Sequence, residues 1–188
     1  LRQAVMNANQ TPGSQTVRLV DALTGARIHL RDLLTISDDV VIQGPGGDEK
    51  AVLDGGGVSR LLNVDDGTDE RRIAVIVADL GLENGRAERG GGIVNREALT
   101  LRRTRMADNH ADHGGAIDND GGRLIVNDSV LENNTARLHG GAIRNHEGEV
   151  QITTSQLIAN SGDRGGAIRN DRARTSLSFS TLYENNAA

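Results

Sequence analysis

The 188-residue chain lacks cysteine and tryptophan and contains one tyrosine, one phenylalanine and two prolines. The absence of cysteine excludes disulfide bonds and thiolate metal sites. With so few aromatic side chains, the buried core must be built from aliphatic residues. No apolar run reaches about 18 residues, so the sequence offers no membrane-spanning helix. The net charge of −5 predicts no general attraction to nucleic acid.

Glycine, in contrast, is abundant and regularly spaced. Gly-Gly pairs begin at residues 90, 114, 140 and 165, at intervals of 24, 26 and 25 residues. Asparagines keep nearly the same interval in two series, which are Asn84, Asn109, Asn134, Asn160 and Asn185, and Asn95, Asn119, Asn145 and Asn170. A fixed period of about 25 residues is typical of a solenoid, in which each repeat forms one coil.

The contents of each repeat favour strands over helices. Apolar residues alternate with polar ones in short runs, as in Leu124 and Val126 or Val150 and Ile152. One repeat gives three short strands, and equivalent positions of successive repeats are chemically alike. We therefore predict an all-β fold, a single-stranded parallel β-helix of roughly seven coils, with aliphatic columns inside. Stacked asparagines would bond to one another and satisfy backbone groups at the turns.

The whole chain, residues 1–188, is predicted to form one β-helix domain. Residues 1–15 contain Leu1, Val5 and Ala8 at helical spacing and are expected to form a short helical cap over the first coil. Residues 16–83 form less regular coils, with a charged, protruding loop at 65–72, and residues 84–188 form the regular coils. The last coil lacks an evident cap, which predicts either a continuing chain or end-to-end stacking into oligomers or filaments.

Several segments resemble a known group of proteins. The opening "LRQAV", then "VVIQGPGG", "VLDGGG", "GLENG" and the repeated "GGAI", resemble secreted right-handed parallel β-helix proteins with a CSLREA-type N-terminal segment. The later coils are similar to polymorphic outer-membrane adhesins, whose repeats are GGAI and F-x-x-N. Here Leu or Met replaces the Phe, and the Cys-Ser that opens the CSLREA segment is absent. The resemblance covers most of the chain and implies a right-handed, pectate-lyase-like coil and an extracellular or bacterial cell-surface location. It says little about activity, because adhesins and polysaccharide enzymes share this scaffold.

Candidate catalytic residues are few. Asp118 and Asp120, with Arg144, are the set that would suit acid-base chemistry on an acidic polysaccharide. Their context, "DNDGG", is also typical of a plain turn, which we favour. His113 and His139 each precede a Gly-Gly pair. We interpret them as part of a solvated polar column, because neither histidine has an evident catalytic partner.

Basic residues near the C-terminus give a candidate ligand site. Arg144, Arg169, Arg172 and Arg174 are predicted to form one basic patch that could bind an acidic glycan or another host or cell-surface ligand, although a solvated face is the simpler interpretation. Asp118 and Arg144 are expected to form an exposed salt bridge between neighbouring coils.

These patterns predict a non-catalytic extracellular or cell-surface module with a structural or adhesive role and with no cofactor or metal. The alternative is a polysaccharide lyase or glycoside hydrolase acting on an acidic glycan. The aromatic faces that commonly stack on sugars are limited to Phe179 and Tyr183, which disfavours the enzyme.

Overall fold

The computed structural model describes residues 1–68 and 72–187. These residues form a β-solenoid of about seven coils with about 25 residues per coil, and all strand pairs among them are parallel. The predicted all-β solenoid with a short N-terminal helix is confirmed. Residues 69–71 of the predicted charged loop lie outside the described residues, as does Ala188.

The first three coils follow the helix α1, with one short 3-10 helix at Asp21–Leu23. The bounds are α1 Arg2–Asn9, β1 Gln15–Arg18, β2 Arg27–His29, β3 Leu34–Ile36, β4 Val40–Gln43, β5 Ala51–Asp54, β6 Leu62–Val64, β7 Ala74–Ala78, β8 Leu80–Glu83 and β9 Ile93–Asn95.

The later coils are more regular in length. Their strands are β10 Ala98–Arg102, β11 Arg105–Ala107, β12 His110–His113, β13 Ile117–Asp120, β14 Arg123–Asn127, β15 Val130–Glu132, β16 Thr135–His139, β17 Ile143–His146, β18 Glu149–Thr153, β19 Gln156–Ile158, β20 Ser161–Arg164, β21 Ile168–Asp171, β22 Arg174–Ser178, β23 Thr181–Tyr183 and β24 Asn186–Ala187.

The strands stack into four sheets along the solenoid axis. Sheet 1 contains β1, β4, β7, β10, β14, β18 and β22, and sheet 2 contains β2, β5, β8, β11, β15, β19 and β23. Sheet 3 contains β12, β16, β20 and β24, and sheet 4 contains β3, β6, β9, β13, β17 and β21. The repeat pattern predicted three strands per coil and missed sheet 3. Strands β12 and β16 each bury a single apolar side chain, Ala111 or Ala136, so they show no apolar alternation.

Aliphatic columns fill the interior. Met106 of sheet 2 stacks between Leu82 and Leu131, and all three are fully buried. The isoleucine column of sheet 4 likewise places Ile117 between Ile93 and Ile143. Burying such a side chain contributes about 1.5 to 3 kcal/mol, which explains how the chain folds without an aromatic core.

The helix α1 packs against β1 and β3 of the first coil. Val5 is 1% exposed and belongs to the core cluster. The helix is also tied to the coil by polar contacts, because Arg2 donates to the Asp32 carbonyl at 2.6 Å and Asn9 donates to the Thr35 carbonyl at 2.9 Å. The helix therefore covers the core at this end of the solenoid.

The first asparagine ladder consists of Asn109, Asn134, Asn160 and Asn185 and lies between sheets 2 and 3. The Nδ2 of each of the first three donates to the Oδ1 of the next asparagine at 2.9 to 3.0 Å. The same oxygens accept the backbone N–H groups of Asn109, Asn134 and Asn160 at 3.0 to 3.1 Å. Because Asn134 and Asn160 are fully buried, the ladder satisfies backbone groups that water cannot reach.

Asn84 does not belong to this ladder, which corrects the prediction from the 25-residue spacing. The strand register pairs Met106 with Leu82, a step of 24 residues, so Gly85 rather than Asn84 occupies the ladder position. The Gly85 N–H donates to the Asn109 Oδ1 at 2.8 Å. Asn84 instead adopts a φ of +54° and donates to Asp54 at 3.0 Å.

The second asparagine ladder consists of Asn95, Asn119, Asn145 and Asn170, at the corner between sheets 4 and 1. Successive side chains are joined at 2.7, 2.8 and 3.1 Å. Asn119 also donates to the Gly122 carbonyl at 2.8 Å. The second ladder therefore stabilises the corner between sheets 4 and 1 by hydrogen bonds made inside the coil.

Candidate functional site

The four Gly-Gly pairs form the corner between sheets 3 and 4, which we call the Gly-Gly corner. The first glycine of each pair has a φ between +53° and +79°. A Cβ on Gly140 would lie 2.2 Å from the Ile143 carbonyl oxygen, and a Cβ on Gly141 would lie 2.0 Å from that of Gly166. Only glycine fits both positions. Because this turn is tight, the residue that precedes the glycine pair in one coil can contact residues that follow the glycine pair in the next coil. Arg89, for example, contacts Asp118.

Asp118 lies on the outer side of β13 at this corner and is fully buried. Its Oδ2 is 2.5 Å from Arg89 Nε, and its Oδ1 is 2.9 Å from Arg144 Nη1. The predicted exposed bridge between Asp118 and Arg144 is therefore wrong in its exposure, because the tight corner folds Arg89 over the carboxylate. The segment was expected to be a turn, but Ile117–Asp120 is a strand and the turn follows it.

Asp120 shares the outer face of β13 with Asp118, as strand alternation requires. Its carboxylate is 3.1 Å from Arg89 Nη2, 3.3 Å from Arg96 Nη2 and 3.2 Å from His146 Nδ1. Partial burial raises the pKa of Asp120, but the hydrogen bonds and charges of these partners outweigh burial and hold the pKa below its ordinary range. Both candidate carboxylates are thus committed to basic partners.

Asp120 also belongs to a column in which acidic and basic side chains alternate from coil to coil. The column consists of Asp65, Arg96, Asp120, His146 and Asp171, with N···O distances of 2.8, 3.3, 3.2 and 3.7 Å between successive members. Each pair is partly exposed and contributes about 0 to 1 kcal/mol. A shift of one coil against the next would separate these acidic and basic partners, so the column favours the observed register.

His113 and His139 stack on consecutive coils at the Gly-Gly corner, between Arg89 and Arg164. Their Nδ1 atoms are 3.0 Å apart and their ring centroids 4.9 Å apart, so one Nδ1 carries a proton that the other accepts. Burial, and then the charge of Arg144, lowers the pKa of His113, while burial followed by the charge of His113 lowers the pKa of His139. The predicted polar column is present, but it is partly buried rather than solvated.

Arg60 supports the corner from the preceding coil, and no sequence pattern indicated it. Its Nη2 donates to the Arg89 carbonyl at 2.8 Å and its Nε to the Gly90 carbonyl at 3.1 Å. Burial lowers the pKa of Arg60, as expected for a guanidinium held against the protein. Residues 16–83 follow the 25-residue period only loosely, so the sequence did not show that Arg60 lies beside Arg89.

A second charged network lies on sheet 2 and also escaped sequence analysis. Arg27 binds Asp54 at 3.0 Å and Glu83 at 2.8 Å. Arg105 binds Glu83 from the other side and Glu132 at 2.5 Å. Asp54 and Glu83 are only 5% and 8% exposed, so the network covers the sheet rather than offering free carboxylates.

Among the described residues, one group of acidic side chains has the proximity that a metal ion requires. Asp65, Asp66 and Glu97 place one oxygen each within 4.8 Å of the others. Asp65 is bound by Arg96 at 2.8 Å, and Glu97 accepts the Ile73 N–H at 3.1 Å. Burial raises the pKa of Glu97. The hydrogen bonds account for this arrangement as a turn between coils.

The predicted basic patch is divided between two corners. Arg144 stacks with Arg169 beside the Gly-Gly corner. Arg172 and Arg174 instead line an open cavity between sheets 4 and 1, which neither Arg144 nor Arg169 lines. The four arginines therefore do not form one site. Proximity in the sequence did not reveal this, because a coil turns through a corner within a few residues.

The comparisons with known proteins give no match: no family model, no curated protein and no solved structure matches this chain. In the part of the chain that the structure describes, no helix is long and apolar enough to cross a membrane. The class that the geometry defines is a parallel β-solenoid whose candidate carboxylates are paired with basic side chains.

Proposed function

We propose that this chain is a non-catalytic structural or adhesive β-solenoid that acts outside the cell or at a bacterial cell surface. The observation that carries the proposal is the full burial of Asp118 between Arg89 and Arg144. A general acid or base must come within hydrogen-bond reach of its substrate, which a carboxylate enclosed by two guanidinium groups does not do. Asp120 is likewise held by several basic partners.

The structural role is supported by how the polar residues are used. Eight asparagines bond along the axis, and charged side chains on the outer faces pair between neighbouring coils. Repeated contacts of this kind join each coil to the next and make a rigid rod with a long lateral surface. Such a surface suits adhesion. The surface location follows the resemblance to secreted and outer-membrane β-helix proteins.

A cleavage assay tests the absence of catalysis. The chain is incubated with uronate polymers and with neutral glycans, and new reducing ends and unsaturated products are measured. We expect no product. Product that disappears in Asp118→Asn or Asp120→Asn but persists in Asp112→Asn, a surface change on β12, would refute the proposal and favour the polysaccharide enzyme. Circular dichroism checks that each variant is folded.

Self-association is the second part of the proposal, and the last described coil supports it. Leu177 and Leu182 are each 43% exposed and Tyr183 is 47% exposed, whereas Leu157, beneath Leu182, is fully buried. The other end of the solenoid is covered by α1. We propose that, in a protein whose solenoid ends at this coil, two copies associate through their last coils in an isologous pair, and that head-to-tail filaments require α1 to be displaced.

Light scattering over a concentration series tests this association. We expect the mass to rise with concentration for the unaltered chain, because unpaired strand edges and exposed core side chains recruit further strands. Leu182→Asp should return the monomer, while Val58→Asp, which changes a side chain that is 79% exposed in an early coil, should not. A monomer at every concentration would refute the association.

A further inference from the structure

A second corner, between sheets 4 and 1, forms an open trough that runs along the axis over three coils. The trough encloses about 600 Å³, and its floor is Gly122, Gly148 and Ala173. A Cβ on Gly148 would lie 2.3 Å from Asn119 Nδ2, because the second asparagine ladder runs directly beneath this backbone. Packing against the ladder therefore keeps larger side chains off the floor and leaves the trough open.

Charged side chains of consecutive coils form the two walls. On one side, Arg172 binds Glu147 at 3.2 Å, and both residues have a φ just above +50°. On the other side, Arg123 lies 3.6 Å from Glu149, and Arg174 continues this column. Within the described part of the chain, the Arg174 guanidinium has no ion pair or hydrogen bond. It is therefore available to a ligand.

Arg72 completes the lining from an earlier coil. Its Nη1 donates to the Arg96 carbonyl at 3.0 Å and its Nη2 to the Gly121 carbonyl at 2.8 Å, which fixes the guanidinium at the trough. Four arginines and two glutamates thus line the cavity. The balance is positive, although the chain as a whole is negative.

We propose that this trough binds an extended anionic glycan, one that carries carboxylate or sulfate groups. The unpaired guanidinium supplies a charged, forked donor for an acidic group. Next to it, guanidinium donors alternate with Glu147 and Glu149 acceptors, which suits sugar hydroxyls because each of these both donates and accepts. Arg123 and Arg174 are two coils apart, about 10 Å at strand spacing, so the site suits acidic groups repeated along a chain rather than a single small anion. This inference rests on the proposed adhesive function and names its ligand.

An acidic peptide is the competing ligand, and the trough is poorly built for one. Peptides commonly bind by adding a strand to a free sheet edge or by placing side chains in apolar pockets. Here the wall backbone is already used between coils, since the N–H groups of Glu149 and Arg174 donate to the Gly122 and Gly148 carbonyls at 2.9 and 3.1 Å. Ala173 is the one apolar side chain in the lining.

Calorimetric titration tests the proposal with four probes: an oligogalacturonate, a sulfated oligosaccharide, a neutral maltooligosaccharide and an oligoglutamate of matched charge. We expect one or both anionic glycans to bind more tightly than the other two probes, and affinity to fall as salt is added. Tighter binding of the oligogalacturonate would indicate recognition of carboxylate groups, and tighter binding of the sulfated oligosaccharide would indicate recognition of sulfate groups. Arg174→Gln should weaken binding by about five- to tenfold, the loss of one charged hydrogen-bonding partner.

The matched control is Arg169→Gln, which removes the same charge from the same coil at the Gly-Gly corner. Its affinity should stay within about twofold of the unaltered chain, because Arg169 does not line the trough and would act on the ligand only through a salt-screened charge. Three results would refute the proposal that the trough binds an anionic glycan. They are an equal loss of affinity in Arg169→Gln, equal or tighter binding of oligoglutamate, and no binding of either anionic glycan. Melting temperatures show whether each variant is folded. Analysis of the titrated glycans separates the two proposals, because cleavage refutes the non-catalytic function whereas absent binding without cleavage refutes only this ligand.

Discussion

Replacing Asn134 by leucine tests whether the first asparagine ladder holds the solenoid together. The Asn134 Nδ2 donates to the Met106 carbonyl and to Asn160 Oδ1, both at 3.0 Å. Its Oδ1 accepts the backbone N–H and the Nδ2 of Asn109. Leucine has a similar size and no hydrogen-bonding group. The backbone N–H and the Nδ2 of Asn109 and the carbonyl of Met106 therefore each lose a hydrogen-bond partner. Water cannot replace that partner, because Asn134 is fully buried.

The size of the effect follows from these three groups. A buried polar group that loses its partner costs about 1 to 3 kcal/mol, so three groups give about 3 kcal/mol at the low end. In a chain of this length, about 1 kcal/mol changes the melting temperature by roughly 2 to 4 °C. The expected decrease for Asn134→Leu is therefore about 6 to 12 °C.

The control is Arg137→Leu, which lies in the same coil. Arg137 binds Asp112 at 2.8 Å, but its side chain is 65% exposed, so its loss should change the melting temperature little. Hydrogen exchange gives a second measurement, since the Asn109 amide should lose protection in Asn134→Leu. Equal, small temperature shifts in the two variants, with Asn109 still protected, would show that the ladder is not a buried structural element.

Three further predictions concern the corner glycines, the histidine pair and the buried carboxylate. Gly141→Ala should lower the melting temperature by several degrees, because its Cβ would lie 2.0 Å from a backbone oxygen, whereas Gly46→Ala points into open space and should change it little. Burial lowers the pKa of His113 and His139 in the folded chain. As the pH falls below about 6.5, the ordinary pKa of histidine, the unfolded chain therefore binds more protons than the folded chain. The free energy of unfolding should decrease on acidification between that pH and the lower folded-state pKa. Replacing both histidines by glutamine should flatten this part of a pH series of denaturant titrations, and an unchanged slope would contradict the assignment. Asp118→Asn should lose about 3 kcal/mol in denaturant unfolding, because two partly buried guanidinium groups lose their shared counter-charge, and an unchanged midpoint would contradict this reasoning.

The sequence by itself determined the architecture, because every coil must present the next with the same contacts. The 25-residue period, the isoleucine column through Ile117 and the asparagines at 134 and 160 follow from this requirement and were predicted. The fourth strand of the later coils, which forms sheet 3, was not predicted, since β12 and β16 each bury one alanine and have no alternation to recognise. Periodic patterns thus identified the interior far better than the outer faces.

Only the tertiary structure decided which outer residues meet. A coil of 24 residues shifts Asn84 out of the ladder that its spacing suggested. The Gly-Gly corner folds Arg89 onto Asp118, 29 positions away, and so buries a carboxylate that strand alternation places outside. The next corner separates Arg174 from Arg144. One physical reason explains all three cases. Spacing in the sequence shows which residues repeat along the axis. Burial and charge pairing around a coil depend instead on the backbone angles at its corners, and small differences in coil length and glycine position set these angles.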